Sequence, residues 1–370
     1  MNTYQQKLYA DLLALTQANE AFYHQEFTLD GKTYRIFNYR LASYTDFQQP
    51  GALECRGVMF EVSGDDAVQL ASLTMSKFFN LNENPSTMGV DLTKVKRIEE
   101  KADGSLMSTY LHNDELRLKS KGSLFSDQAL AAMKWLDRPE NKQFKNELKL
   151  AAMGVRPYTV NLEWCSPEHR IVLGYMEPTL KVLNMRDHED GSYADIENLF
   201  DRERVVAYTE TNDPVAFVAA IPAMTDLEGF VVVLESGQRI KIKCEWYLSL
   251  HHAKDSVNNP RRLFECILEE GVDDLRSMFA LDPLAMKIID EMQIKVNHLY
   301  NEMVKLVEDY HAANKDLSKK DYAIKGQQEL PRLYFGLAMN KYVGKVMNYK
   351  EFLKGKWKDL GLKDVAITDE

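Results

Sequence analysis

Three short stretches, met in order along the chain, hold the residue types needed for nucleotidyl transfer through a lysine. They are Lys101-Ala102-Asp103-Gly104-Ser105, Leu227-Glu228-Gly229-Phe230 and Lys241-Ile242-Lys243. A single Lys-x-Asp-Gly recurs by chance, and a lysine before an Asp-Gly turn is commonly just exposed, so the signal lies in the ordered set. A lysine attacks phosphorus only as the neutral amine, and at an ordinary pKa near 10.4 about one in 2,500 is neutral at pH 7. Activation of Lys101 therefore calls for neighbouring cations or removal from water, both of which disfavour the ammonium form. Lys241 and Lys243 are candidates for those cations, because residues two apart on a strand point to one face.

Those lysines need an element to hold them. Phe230 to Leu234 and Arg239 to Lys243, separated by Glu235-Ser236-Gly237-Gln238, read as a β-hairpin. With Ser236-Gly237 as a two-residue turn, Val232 faces Lys241, Phe230 faces Lys243, and Glu228 falls on the same face. The hairpin then presents one carboxylate and two lysines to one pocket, an arrangement suited to phosphates and a metal. An edge strand whose lysines deter aggregation shows the same pattern.

The remaining elements follow from periodicity. Residues 1 to about 22 read as a helix with Leu8, Leu12, Leu13 and Leu15 on its apolar side. Strands are expected at 33–39, 57–62, 67–72, 105–112, 115–120, 158–165, 170–175 and 181–185, with helices near 126–137, 141–153, 193–200 and 213–220. This is an α+β pattern, without the regular βα alternation of a doubly wound sheet. After about residue 250 the character changes: Asn259-Pro260 and Asp282-Pro283 are helix-start signals, and Ile288, Met292, Val296, Leu299, Met303, Leu306 and Tyr310 step along a long amphipathic helix. With further helices near 262–280, 318–345 and 349–359, the last 120 or so residues form a helical second domain.

The 370 residues suffice for two domains. No apolar run reaches the roughly 18 to 20 residues of a membrane span, and the polar start lacks the form of a secretory signal, so a cytoplasmic protein is expected. Cys55, Cys165, Cys244 and Cys266 are widely spaced and read as buried free thiols rather than a zinc site or disulfide framework. The net charge of −10 opposes a general nucleic-acid coat. From Asn314 to Lys363, however, twelve Lys or Arg stand against five Asp or Glu, a local +7 that fits either a solvated helix face or a nucleic-acid surface.

A family resemblance completes the reading. Lys101-x-Asp103-Gly104, Lys119-Ser120-Lys121-Gly122, Asn161-Leu162-Glu163-Trp164, Glu228-Gly229 and Lys241-Ile242-Lys243 occur in the order of the covalent nucleotidyltransferase motifs, the superfamily of ATP-dependent ligases and capping guanylyltransferases. The flanks Glu54-Cys55-Arg56-Gly57, Lys77-Phe78-Phe79-Asn80-Leu81-Asn82-Glu83 and Arg170-Ile171-Val172-Leu173 narrow it. Over about the first 280 residues the chain resembles the tRNA-repair RNA ligases of T-even bacteriophages, the RNA ligase 1 type. That resemblance implies an adenylyltransferase domain of antiparallel sheets and flanking helices over residues 1–252, and an all-helical RNA- or tRNA-specificity domain over 253–370.

The resemblance also implies a three-step reaction, in which Lys101 takes AMP from ATP, AMP passes to an RNA 5′-phosphate, and a 3′-hydroxyl displaces it. Glu163 would hold the ribose, Glu228 would assist metal and phosphate chemistry, and Lys241 and Lys243 would contact the α-phosphate. Arg56 and Lys77 would hold ATP phosphates, with Tyr39, Phe79, Gly104 and Lys121 completing the nucleotide site. Glu228 and Asp273 would serve Mg2+ or Mn2+. The implied partner is RNA bearing 5′-phosphate and 3′-hydroxyl ends, such as a nicked tRNA, acted on by a monomer in the cytoplasm of an infected host.

Several of these residues also fit plainer roles: Arg56 a surface ion pair, Lys121 before Gly122 a turn, Asp273-Asp274 a helix start. His251-His252 has no spaced carboxylate or cysteine partner for a metal. DNA ligases and capping enzymes share the core motifs but follow the last lysines with a five-stranded barrel, which the helical pattern here disfavours. A non-catalytic RNA-binding protein is the remaining alternative, and covalent labelling by ATP separates it from an enzyme.

Overall fold

Asn2 caps the first helix, α1 (Thr3–Ala18), by accepting a hydrogen bond from the Gln5 N–H, and Leu8, Leu12 and Leu15 form its buried side. This computed structural model describes residues 2–362 apart from 63–67, 170, 172, 197–198, 202–203, 251–256, 258 and 281. Four antiparallel strands follow in spatial order β1 (Phe22–Leu29), β2 (Lys32–Tyr39), β3 (Val58–Glu61) and β4 (Gln69–Ser72). The leucines of α1 join Phe37, Val58 and Phe60 of this sheet in one core. Full burial of each leucine stabilises the fold by roughly 1.5 to 3 kcal/mol.

The chain then weaves two five-stranded sheets. Its elements are β5 (Phe79–Asn80), β6 (Val95–Glu100), β7 (Ser105–His112), β8 (Glu115–Ser120), α2 (Asp127–Leu136), α3 (Lys142–Met153), β9 (Tyr158–Cys165), β10 (Thr179–Asp187), β11 (Tyr193–Ala194), β12 (Tyr208–Thr209), α4 (Pro214–Ala220), β13 (Gly229–Leu234), β14 (Arg239–Lys243) and α5 (Glu245–Leu250). One sheet has the order β11-β10-β9-β7-β8, and Trp135, Leu136, Phe144 and Leu148 of α2 and α3 share its core. The other runs β12-β6-β13-β14-β5, antiparallel except for the β14–β5 pair. Consecutive strands β6 and β7 thus lie in different sheets, and residues 101–104 cross from one to the other.

The architecture is the expected α+β, with local differences. The first helix stops at Ala18, and Phe22 begins a strand instead of ending the helix. Strand β6 was not legible because four of its six residues are charged, and Glu99 finds its partners Arg97 and Arg239 only through the fold. Among described residues 171–175 no strand forms, while Arg170 and Val172 lie outside the described residues, as does Ala67. The helix expected at 193–200 opens instead as the short strand β11.

The hairpin register also differs from expectation. Leu234 N–H donates to the Gln238 carbonyl at 2.9 Å, so the turn has three residues, Glu235-Ser236-Gly237, with Gly237 at φ +85°. Lys241 therefore faces Val231 and Lys243 faces Gly229, one residue from the two-residue-turn register. Simple alternation no longer puts Glu228 with the lysines. Gly229 restores the meeting: its φ of +147° redirects the chain, and a Cβ there would lie 2.0 Å from the Ile242 carbonyl oxygen.

The chain divides into two compact units, Met1–His251 and His252–Glu370. The second holds α6 (Pro260–Leu268), α7 (Val272–Met278), α8 (Pro283–Asn314), α9 (Lys319–Glu329), α10 (Arg332–Tyr342) and α11 (Tyr349–Gly355), with no strand among its described residues. Asn259 and Asp282 cap α6 and α8 with their side chains, as their position before proline implied. Ile289, Met292, Val296, Met303 and Val307 are buried along α8. No helix among the described residues is long and apolar enough to cross a membrane.

Gly229→Ala is expected to destabilise the protein by about 2 to 4 kcal/mol, because both the positive φ and the Ile242 carbonyl oppose a side chain. Thermal or urea unfolding checks this; a change below about 0.5 kcal/mol contradicts the account.

Candidate active site

Lys101 leaves the β6 ladder with its N–H donating to the Gly229 carbonyl at 2.9 Å. That bond extends the β6–β13 pairing of Glu100 with Phe230 and brings Lys101 alongside Gly229, next to Glu228. Lys101 Nζ donates to Glu228 Oε2 at 2.8 Å, and Lys243 Nζ lies 3.2 Å from Glu228 Oε1. The Glu228 side chain is 3% exposed against 22% for Lys101, so the carboxylate is enclosed while the lysine side chain stays partly exposed. Each carboxylate oxygen has its own amine partner.

Asp103 pins the next turn of the crossing. Its Oδ1 accepts from the Tyr247 hydroxyl at 2.9 Å, its Oδ2 from the Leu173 N–H at 2.6 Å, and its own N–H donates to the Tyr175 hydroxyl at 3.0 Å. Gly104 is required by close approach: a Cβ there would meet the Trp164 carbonyl oxygen at 2.4 Å. This contact sets β7 beside β9, whose Glu163 pairs with Leu106 and Lys181. Burial pushes the Glu163 carboxyl up to about 7; Lys101 and Arg56 oppose the shift, and Glu228 and Asp103 add to it.

A second group of cations is built on aromatic rings. Lys77 Nζ lies 5.6, 5.5 and 5.2 Å from the ring centres of Tyr39, Phe47 and Phe79, and Lys121 Nζ lies 4.7 Å from that of Tyr39. Strand β14 reaches toward this group through β5, pairing Ile240 with Phe79 and Lys241 with Asn80. Lys241 Nζ lies 5.9 Å from the Phe78 ring centre. Arg56 follows a short 3-10 turn, and its guanidinium donates to the Met75 carbonyl at 3.5 Å.

A family model described as RNA ligase matches residues 54–247, just over half of the chain, and takes in Arg56, Lys77, Phe79, Lys101, Lys121, Glu163, Glu228, Lys241 and Lys243. The chain belongs to the RNA ligase family. A second model, described as T4 RNA ligase 1, C-terminal domain, matches residues 254–355 of the helical unit. RNA ligase 1 of Bacteriophage TS2126 is 28% identical over 307 residues, covering 80% of this chain and 74% of that protein. The solved structure of an archaeal ATP-dependent RNA ligase is 13% identical, aligned over 90% of this chain and 96% of that one with a TM-score of 0.46.

In this ligase the structure brings Lys101 and Lys243 into contact with Glu228, with Glu163 inside the electrostatic reach of Lys101 and Glu228. Tyr39, Lys77, Phe79 and Lys121 form the aromatic–cation group, and Lys241 stands beside it over Phe78. The direct side-chain partner of Lys101 is a carboxylate, where cations were expected; the cation Lys243 comes through that same carboxylate. Asp273 lies in the second unit, in the first turn of α7, and its Oδ1 accepts from the Asp274 N–H at 3.1 Å. His251 and His252 lie outside the described residues. All four cysteines are free, and Cys244 is buried.

Sequence reasoning passed over Asp103, Tyr247, Phe47 and Lys119. Asp103 stood inside the nucleophile motif and Lys119 inside a quoted one, but Phe47 and Tyr247 carried no spacing signal, since folding alone brings them to their partners.

The raised Glu163 carboxyl has a definite pH consequence. The folded state holds this proton more tightly than the unfolded state, whose value is the ordinary 4.5, so its stabilising contribution is complete below that and lost as pH rises to about 7. Glu163→Gln should therefore raise Tm by more at about pH 8 than at about pH 4.5. Equal shifts at both pH values would show that Glu163 does not titrate in this way.

Proposed function

We propose that this ligase joins RNA 5′-phosphate and 3′-hydroxyl ends at the expense of ATP, with Lys101 carrying AMP between the two substrates. The supporting observation is the contact of Lys101 and Lys243 with the two oxygens of buried Glu228. In this reading the Lys101 amine attacks the α-phosphorus, a P–N bond forms, the bond to the β-phosphate oxygen breaks, and pyrophosphate leaves. In this reading Glu228 Oε2, which accepts the Lys101 hydrogen bond, takes the departing proton. AMP then passes to the RNA 5′-phosphate, and attack by the 3′-hydroxyl releases it. In-line displacement at phosphorus depends on positioning and charge neutralisation, which is the chemistry a lysine- and carboxylate-rich site supplies.

Arg56, Lys77 and Lys121 are assigned to the ATP phosphates, Tyr39 and Phe79 to the walls of the nucleotide site, Gly104 to its close-packed floor, and Glu163 to the ribose. Lys241 and Lys243 are assigned to the α-phosphate. A divalent ion, Mg2+ or Mn2+, supplies further phosphate neutralisation when bound. Among the described residues no group of three His, Cys, Asp or Glu side chains is set to hold a metal. In this reading such an ion would take much of its coordination from phosphate oxygens, with Glu228 contributing. Asp273 is assigned to a metal role on the family resemblance. The helical unit is assigned to RNA selection, with nicked tRNA as the natural substrate, and the ligase to a monomer.

Incubation with α-labelled ATP and magnesium, followed by denaturing electrophoresis, tests the central claim. The chain is expected to retain label on Lys101, and Lys101→Ala to abolish it. Label that persists in Lys101→Ala would sink the assignment.

The hairpin lysines separate the steps. Lys241→Ala and Lys243→Ala should each abolish overall sealing, and at least one should stay defective on pre-adenylylated RNA, since the same α-phosphate needs stabilising during 3′-hydroxyl attack. Near wild-type sealing of that RNA by both variants contradicts a shared phosphate contact.

A further inference from the structure

Lys119 is fully buried on β8, and both its hydrogen-bond acceptors are main-chain carbonyls: Gly57 at 2.5 Å and Ser120 at 3.2 Å. Gly57 belongs to the strand–loop corner that carries Arg56, in a different sheet from β8. Three further contacts lock the same corner. Gly57 N–H donates to the Phe37 carbonyl at 2.7 Å, Thr74 Oγ1 donates to the Arg56 carbonyl at 3.0 Å, and Gly57, at φ +97°, lies so close to Lys121 that a Cβ would sit 2.6 Å from its carbonyl oxygen. The Lys121 carbonyl also faces the Asn38 side-chain amide at 3.4 Å, and Asn38 precedes the Tyr39 ring beneath the Lys121 ammonium.

We infer that Lys119 is a positioning residue for the ATP-charging step: its bond to the Gly57 carbonyl fixes the spacing of Arg56, one residue before Gly57, from Lys121, two residues after Lys119. This rests on the reading of Arg56 and Lys121 as phosphate-holding groups. A lysine stripped of water is costly to bury unless its charge is met and hydrogen-bonded. Burial, with the Arg56 guanidinium as the second cause, pushes Lys119 down to about 7. A group retained at that cost, tied to the main chain beside one proposed phosphate ligand and two residues from another, serves geometry at the phosphates. Charging of Lys101 uses the full triphosphate, whereas sealing of pre-adenylylated RNA does not, so the effect should divide between the two steps.

The test is a double-mutant cycle read by single-turnover labelling of Lys101 over a range of ATP concentrations. Lys119→Met, which keeps length and burial but removes the donor, is expected to raise the half-saturating ATP concentration by about tenfold or more. It should seal pre-adenylylated RNA within about threefold of wild type. Arg56→Ala alone should also raise the ATP requirement, and adding Lys119→Met to Arg56→Ala should add little, because the lysine acts through the arginine corner. Lys119→Gln, which keeps a donor, should fall between wild type and Lys119→Met, and it replaces Lys119→Met in the cycle if that variant does not fold.

If Arg56→Ala leaves the ATP requirement unchanged, the phosphate assignment fails and the inference with it. If Arg56→Ala raises it but the Lys119 variants do not, or if the two effects simply multiply, the inference alone fails. Equal loss of charging and of pre-adenylylated sealing would mean that Lys119 only holds the fold together.

Discussion

The buried carboxylate of Glu228 is the interaction on which the site depends. A carboxylate with 3% of its side chain exposed is tolerable only when its charge is met, and here Lys101 and Lys243 each meet one oxygen. The pairing is an extension of backbone order. Glu228 lies just before β13 and Lys101 just after β6, two strands already hydrogen-bonded to each other, so the sheet sets the distance between the charges. Gly229 completes the arrangement by turning the chain where the hairpin register would send Glu228 to the other face.

Lys101 sits at the seam of two sheets. Residues 101–104 leave one ladder and join another, and in the gap Asp103 replaces sheet pairing with three hydrogen bonds of its own. Gly104 then lets β7 come against the Trp164 carbonyl. A lysine at such a seam has a main chain held by hydrogen bonds and a partly exposed side chain, which combines preorganisation with access. The neighbouring cations are treated differently: Tyr39, Phe47 and Phe79 offer ring faces to Lys77 and Lys121, and ring faces stabilise positive charge without neutralising it. A polyanionic ligand suits that environment.

In the helical unit the structure changes the meaning of a charge count. The basic excess between Asn314 and Lys363 is met in part by carboxylates from outside that stretch: Lys341 pairs with Glu308, Lys350 with Glu270 and Lys354 with Glu269. Long helices place residues far apart in sequence side by side, so a local excess of lysine overstates the positive surface. Exposed pairs of this kind contribute little stability, but they do set where positive charge is left for a partner.

The sequence by itself determined the elements with strong local physics. Capping residues before proline marked α6 and α8, alternation marked β7 through β9, and the ordered Lys-x-Asp-Gly, Glu-Gly and Lys-Ile-Lys set marked the family and the residues around Lys101. These are properties of a few neighbouring residues, and they survive any tertiary arrangement. It did not determine β6, whose charged residues look like a loop until Arg97 and Arg239 arrive, nor the hairpin register, which a single turn residue shifts by one place. Only the tertiary structure decided that Lys101 meets a carboxylate first, that Tyr247 and Phe47 belong with the site, and that Lys119 is buried against Gly57. Each of those depends on contacts between distant segments, and their energies exist only once the sheets have formed.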